Sequence, residues 1–331
     1  MFDTLVAIVV THNRLTHLKK TLARLEAVPP ESLSAIVVVD NASTDGTGAY
    51  LAQVASPRCH IRTLAQNTGG AGGFAAGMAF AFEHLQAGWA VVLDDDARPF
   101  PEALEVFRHT LPRAEAAVAA AVYLPDGTPA RMNTPAHNPF WHLGSFLQAL
   151  RRGRGGFHLK AADYTGPPQA VDVASFVGLF VSKKAFSMIG GPDPALFVYG
   201  DDSIWSLTLR QAGGVITFDP RIAFEHETRA STGQARFRPL WKVYYYHRNL
   251  LILYRMAAGV WFWPVLCVIL PGWLLRVRHH GGARRAFLQL LGRAVWDGLR
   301  RRTGRTHPEV TRLALQDVTV EAPEQGHAEK Q

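Results

Sequence analysis

Apolar residues along this chain fall first into short unbroken runs. Leu5 to Val10, Ala35 to Val39 and Trp89 to Leu93 are rich in β-branched side chains and show no alternation, the pattern of strands buried on both faces. His60 to Leu64 adds a weaker strand. Between these runs the period changes to that of a helix. Leu15 to Ala27 does so before Pro29-Pro30, a second helix runs through Val54, and a third is predicted from about Phe74 to Ala87 after a glycine-rich turn. Strands alternating with helices predict an α/β fold with a mostly parallel central sheet covered on both sides. Beyond Pro125 the pattern dissolves, and Pro125 to Pro168, rich in Gly, Pro, Arg and His, is expected to be a long loop or an insertion over the sheet. Strand character returns over Val171 to Ser182, a helix over Asp201 to Ala212, and a strand over Val215 to Phe218. From Trp241 the chain turns aromatic, then apolar, then basic, and Glu309 to Gln331 is polar and expected to fray.

Composition changes this picture in two respects. The 331 residues are 48% hydrophobic, enough for a sizeable core, and the two cysteines, Cys59 and Cys267, lie in no metal-binding spacing. With no basic, apolar leader after Met1, a cytoplasmic location is expected. The formal charge of +8 is uneven, because Arg and Lys crowd into 151–160 and 276–305. Such a patch suits an anionic membrane or a merely solvated face, and nucleic acid is the weakest reading. The apolar stretch Val260 to Leu275 has tryptophans at both ends and two prolines. It is short for a spanning helix. A peripheral, amphipathic contact with the inner face of the plasma membrane is therefore expected, and an ordinary helical subdomain packed on the core is the alternative.

In an open parallel sheet, ligands gather at the carboxyl ends of the strands. Here those ends carry Thr11-His12-Asn13, Asp40-Asn41, Asn67-Thr68-Gly69-Gly70 and Asp94-Asp95-Asp96. Any one of them could be turn chemistry alone. Three successive carboxylates after a buried strand repel each other unless a cation or donors compensate, and oxygen ligands suit Mn2+ or Mg2+ beside a nucleotide's phosphates. A solvated acidic turn leading into a helix near Pro99 is the plainer alternative. The glycine segment is no Walker loop, since no Gly-Lys-Ser or Gly-Lys-Thr follows it.

Val10-Thr11-His12-Asn13-Arg14, Val38-Val39-Asp40-Asn41-Ala42-Ser43-Thr44-Asp45-Gly46-Thr47, Asn67 to Phe74 and Leu93-Asp94-Asp95-Asp96 resemble the successive motifs of family 2 glycosyltransferases with a GT-A fold, over roughly residues 5–250. The resemblance implies an inverting, metal-dependent transfer of a hexose from a nucleotide sugar to a hydroxyl of a glycan or polyprenyl-linked glycan. It places Thr11, Asn13, Asp40 and Asn67 on the nucleoside, counts Arg14, Asn41, Gly69, Gly70 and Asp95 within the donor site, and turns Asp94 and Asp96 toward ribose and metal. Asn67 to Phe74 is similar to galactofuranosyltransferases and their rhamnosyltransferase relatives, so UDP-galactofuranose is the expected donor and dTDP-rhamnose its rival. Tyr199-Gly200-Asp201-Asp202 departs from the tryptophan-led motif of polymerising galactofuranosyltransferases, which argues against processive synthesis.

Asp201-Asp202 at a helix start is, on its own, an ordinary use of acids at a positive dipole end. The family's acidic pair supplies the catalytic base, and the resemblance puts that base at Asp202 with Asp201 beside it. His226, flanked by Glu225 and Glu227 at a strand end, corresponds to a metal-binding histidine, completing an ion site with Asp94 and Asp96. A nucleotidyltransferase or a noncatalytic nucleotide-sugar-binding protein remain the readings from other classes. The organisation expected is a catalytic domain over 1–240, with a donor half to about 124 and an acceptor half from about 170. A helical membrane-associating region over 241–305 and a polar tail over 306–331 complete it.

Overall fold

The computed structural model describes residues 4–111, 114–228 and 236–315. Its first part repeats one unit: β1 (Leu5–Thr11), α1 (Leu15–Glu26), β2 (Ala35–Asp40), α2 (Thr47–Val54), β3 (Cys59–Thr63), α3 (Gly69–Ala79) and β4 (Trp89–Asp94). Strands β3, β2, β1 and β4 lie side by side and parallel. Because side chains alternate across a strand, Val6, Ile8 and Val10 enter the core on one face and Leu5, Ala7 and Val9 the core on the other. That two-sided burial is why these runs are apolar throughout.

The second part is mixed. It comprises β5 (Ala97–Pro99), α4 (Ala103–His109), β6 (Ala117–Tyr123), α5 (Leu143–Arg152), β7 (Gln169–Val171), β8 (Leu179–Ser182), α6 (Lys183–Ile189), α7 (Asp201–Gln211) and β9 (Ile216–His226). Strand β8 runs antiparallel between β4 and β6, while β5 and β7 pair antiparallel with β9, so the parallel order predicted for the sheet holds as far as β4. One nine-stranded sheet takes strands from both halves of the chain.

Four expectations need correction. The third helix starts at Gly69, not near Phe74, and a π-helical turn over Phe80–His84 follows it. Its glycines are contact points: a Cβ at Gly73 would collide with Val10 and one at Gly77 with Ile8, so only glycine lets α3 lie this close to β1. Pro125 to Pro168 is not a structureless loop, since it contains α5 and several 3-10 turns. The acidic turn after β4 leads into β5, not into a helix near Pro99. Residues Val171 to Ser182 are two strand ends separated by a loop, with β8 beginning at Leu179.

After β9 come α8 (Lys242–Ala258), α9 (Phe262–Leu275), α10 (Arg284–Leu299) and α11 (His307–Leu315). They share a separate core around Tyr244, Tyr245, Phe287 and Val310. Part of the expected tail is thus the packed helix α11, and residues 316–331 lie outside the described residues. By length and composition the helical run Lys242–His279 could cross a membrane. Its geometry is broken, however: Gly259 at φ 51° separates α8 from α9, and α8 buries His247, Arg248 and Asn249 inside the protein.

Candidate active site

The parallel register sets Thr11 beside Asp40, Asp40 beside Thr63 and Val10 beside Asp94, so the polar ends of four strands form one row. Along it the loops are tied together. The Asn13 Oδ1 accepts from the Thr44 N–H at 2.6 Å, and the Asp40 Oδ1 accepts from the Ser43 N–H at 3.0 Å. The Asn41 carboxamide is buried; it donates to the Gly69 carbonyl at 2.8 Å and accepts from the Thr68 N–H at 2.9 Å, joining β2 to the start of α3. Asn67 accepts from the Gly69 N–H at 2.8 Å, and half-buried Gly70 lies in the first turn of α3.

The aspartates after β4 divide their partners. Asp95 is buried, accepts from the Thr11 hydroxyl at 2.7 Å and lies 3.3 Å from Arg14. Burial pushes its carboxyl up to about 7, against the pull of Arg14 and Thr11. Asp96 is equally buried but meets Arg14 at 2.6 Å and His226 at 3.1 Å. Burial opposes its ionisation, yet the hydrogen bond and charge of His226, with Arg14, outweigh it and hold the carboxyl down to about 2. Asp94 is raised to about 6, chiefly by burial, with the charges of Asp96 and Asp202 adding to it against His226 and Arg14. A crevice of about 670 Å3, lined by Arg14, His17, Asp96, Pro125, Glu227 and Thr228, opens beside the cluster.

His226 is brought here by sheet register: β5 pairs antiparallel with β9 so that Ala97 faces His226. Alternation then turns Glu225 and Glu227 away, to Arg98 at 2.8 and 2.6 Å, with Lys20 2.9 Å from Glu227. The other ring nitrogen, Nδ1, lies 2.9 Å from Asn133 Oδ1, which has only an acceptor to offer. Nδ1 therefore carries a proton, and Nε2 faces Asp96. Burial works against a charge on His226, but the bond to Asp96 and the nearby carboxylates raise its pKa overall. Among the described residues, ligand atoms of Asp94, Asp96 and His226 all lie within 4.8 Å of one another. Two carboxylates and an imidazole whose second nitrogen is already bonded fit a divalent cation of the Mn2+ or Mg2+ kind.

Asp201 and Asp202 open α7 behind Gly200 at φ 75°. Phe197 and Tyr199 also take positive φ, 65° and 71°, unusual for aromatic side chains. The segment is held from outside. The Asn249 side chain donates to the carbonyls of Leu196, Val198 and Tyr199 at 3.0, 2.9 and 2.8 Å, and Arg248 donates to those of Ala195 and Leu196 at 2.8 and 3.0 Å. The loop also grips the donor side: Phe197 offers its carbonyl to the Ala71 N–H at 3.2 Å, where a Cβ on Gly69 would clash. Burial raises both acids, and Asp202 raises Asp201 further, so the pair releases its protons in two steps. Asp202 Oδ1 accepts from the Ser203 N–H at 2.6 Å and from the Ser203 hydroxyl at 3.1 Å.

The site residues read from the sequence thus form three linked groups: Thr11, Arg14, Asp94, Asp95, Asp96 and His226; Asn13, Asp40, Asn41, Asn67, Gly69 and Gly70; and Asp201 with Asp202. Sequence reasoning did not find Asn133, in the segment taken for a loop, or Arg248 and Asn249, in a helix read only for its apolar content.

Residues 6–168 match the family model Glycosyl transferase family 2. An N-acetylglucosaminyl-diphospho-decaprenol L-rhamnosyltransferase of Mycobacterium tuberculosis is 27% identical over 264 residues, 71% of this chain and 79% of the relative. A mannosyltransferase from Pyrobaculum calidifontis, solved with GDP-Man and Mn2+, superposes with a TM-score of 0.51 at 18% identity, covering 95% of this chain and 79% of that one. GalNAc-T7, solved with UDP, GalNAc and Mn2+, also gives 0.51 at 13% identity over 76% of this chain, which spans 47%, about half, of that structure. At such identities the structures speak for the fold alone. With the motifs at their strand ends, the GT-A architecture and the family match in agreement, residues 6–168 form a family 2 glycosyltransferase domain.

Proposed function

We propose that this enzyme transfers a hexosyl group with inversion from a nucleotide sugar to a hydroxyl of a polyprenyl-linked glycan. The observation that carries it is the nearness of two acidic groups: Asp94, Asp96 and His226 within ligand distance of each other, and Asp202 close enough to influence the charge of Asp94. A divalent ion held by Asp94, Asp96 and His226 would supply neutralising charge for the departing nucleoside diphosphate. The row from Thr11 to Asn67 positions the nucleoside, and Asn133 keeps the His226 Nε2 turned inward. Asp202 presents Oδ2 to take the acceptor's proton, and attack opposite the leaving group inverts the anomeric centre.

For the donor, dTDP-rhamnose now has the better support and UDP-galactofuranose becomes the second reading. The glycines of Asn67 to Phe74, which favoured galactofuranose, are accounted for by the packing of α3, while the relative matched over 71% of this chain is named as a rhamnosyltransferase acting on a decaprenyl-linked sugar. The C-terminal helices would hold the enzyme on the inner membrane face. As 14 residues, α9 is about 21 Å long, short of the roughly 30 Å apolar core, so it lies along the surface. Incubation with Mn2+, a polyprenyl-diphospho-sugar acceptor and each nucleotide sugar in turn tests the reading. Turnover of dTDP-rhamnose is expected. Pyrophosphate release from a nucleoside triphosphate, with no sugar transferred, would overturn it in favour of a nucleotidyltransferase.

A further inference from the structure

Helix α5 is unusual in that none of its described residues is buried. Leu143, Leu147 and Leu150, spaced to share one side of a helix, are all exposed, Leu143 at 75% and Leu150 at 70%. A ten-residue helix in water has too few bonds to offset its nucleation, so one whose leucines are all exposed needs a further surface to lie against.

The helix is nonetheless firmly placed. His142 at its start lies 2.7 Å from buried Asp172, and Asp172 is 3.1 Å from Arg210. Asn138 donates to the Ala257 carbonyl at the end of α8, and the Phe146 ring lies 6.2 Å from Trp261 in the turn before α9. Through this contact α5 adjoins a second group of exposed apolar residues, Val260 (89% exposed), Trp263 and Val268. Contiguous exposed apolar residues rimmed by polar ones mark a surface for a protein or membrane contact. Exposed Arg151 and Arg152 end α5, as Arg276 and Arg278 follow α9, and this basic rim selects an anionic partner.

We propose that α5 docks into an anionic lipid bilayer, forming with the α8–α9 turn one membrane-binding face. The proposal rests on the membrane reading of the C-terminal helices given above and extends it to the insertion that also carries Asn133. Docking α5 would seat the crevice beside a lipid-linked acceptor.

Sedimentation of the full chain with phosphatidylcholine vesicles, with and without phosphatidylglycerol, tests this. The variant Leu143→Glu/Leu147→Glu/Leu150→Glu is compared with Trp263→Glu/Val268→Glu on α9, and circular dichroism and nucleotide binding check that each is folded. Leucine burial of this extent predicts a loss of vesicle affinity of at least about tenfold for the α5 variant. Arg151→Ala/Arg152→Ala should lose the preference for phosphatidylglycerol, and hydrolysis of the soluble donor should be unchanged. If the wild-type chain binds anionic vesicles, the α9 variant does not and the α5 variant binds fully, the α5 proposal is overturned and the C-terminal reading survives. If the wild-type chain ignores vesicles, both fall. A dimer that the α5 variant dissociates, without vesicle binding, would assign the face to a second copy of the chain and overturn the proposal.

Discussion

Asp95 and Asp96 are placed by charge, whereas Asp201 and Asp202 are placed by backbone. The first two lean on Arg14, Thr11 and His226. The second pair follows a loop of positive-φ residues whose carbonyls are bound by Arg248 and Asn249. Charge placement answers to pH and to cations, while backbone placement answers to packing some fifty residues away in the chain, such as Asn249 against Leu196, 53 positions apart. The carboxylate cluster can in this way adjust to charge without moving the loop that carries Asp201 and Asp202.

The sharpest way to separate the two is Asp202→Asn, which keeps shape but cannot take a proton. Transfer should fall by about two to four orders of magnitude with donor affinity nearly unchanged, and the milder Asp201→Asn provides the control. Unchanged kcat with a raised donor KM would instead assign Asp202 to substrate binding. Next is Asn249→Ala, which takes one donor from each of three carbonyls in the loop. Turnover should fall roughly tenfold to a hundredfold and stability by about 2–4 kcal/mol, with metal-dependent nucleotide binding kept; loss of nucleotide binding first would mean the two groups are not held independently. A smaller effect is expected from Asn133→Leu, which frees the His226 ring and should weaken Mn2+ affinity about tenfold or more, measured by titration calorimetry.

The smallest effect is thermal. Asp94 and Asp95 titrate in the folded protein at about 6 and about 7, above the ordinary 3.8, so the stability linked to them is complete below that value and lost as pH rises through 6 to 7. Asp96, held down to about 2, acts oppositely: its contribution is present above the ordinary value and lost only as pH falls toward 2. A divalent ion relieves the repulsion among ionised carboxylates and must displace the His226 proton. Mn2+ should therefore raise Tm by a few degrees at about pH 8 and hardly at all at about pH 5. An equal shift at both would place the ion elsewhere.

The donor side was legible in the sequence because each of its signals is local. An apolar run ending in Thr11, Asp40 or Asp94 announces both the strand and the group at its tip, and the fold family followed from four such ends. His226 was found through resemblance, and its register opposite Ala97 explains why it meets Asp96 while Glu225 and Glu227 pair with Arg98. The glycines after Asn67 were read as a turn because a close helix-to-strand contact calls for the same residue. Asn133 and α5 were hidden for another reason: a ten-residue helix with its leucines exposed, set among glycines and prolines, carries too short a period to stand out.

The grip of α8 on the acid-bearing loop bears on where this polypeptide can be cut. A fragment ending near residue 240 would retain every strand and every side chain assigned to donor, ion and proton transfer. It would lack Arg248 and Asn249, leaving Phe197 and Tyr199 free to relax from their strained backbone angles. Such a fragment would be a nucleotide receptor without an enzyme's timing, and the smallest working unit would extend past Asn249, well beyond the match that ends at residue 168.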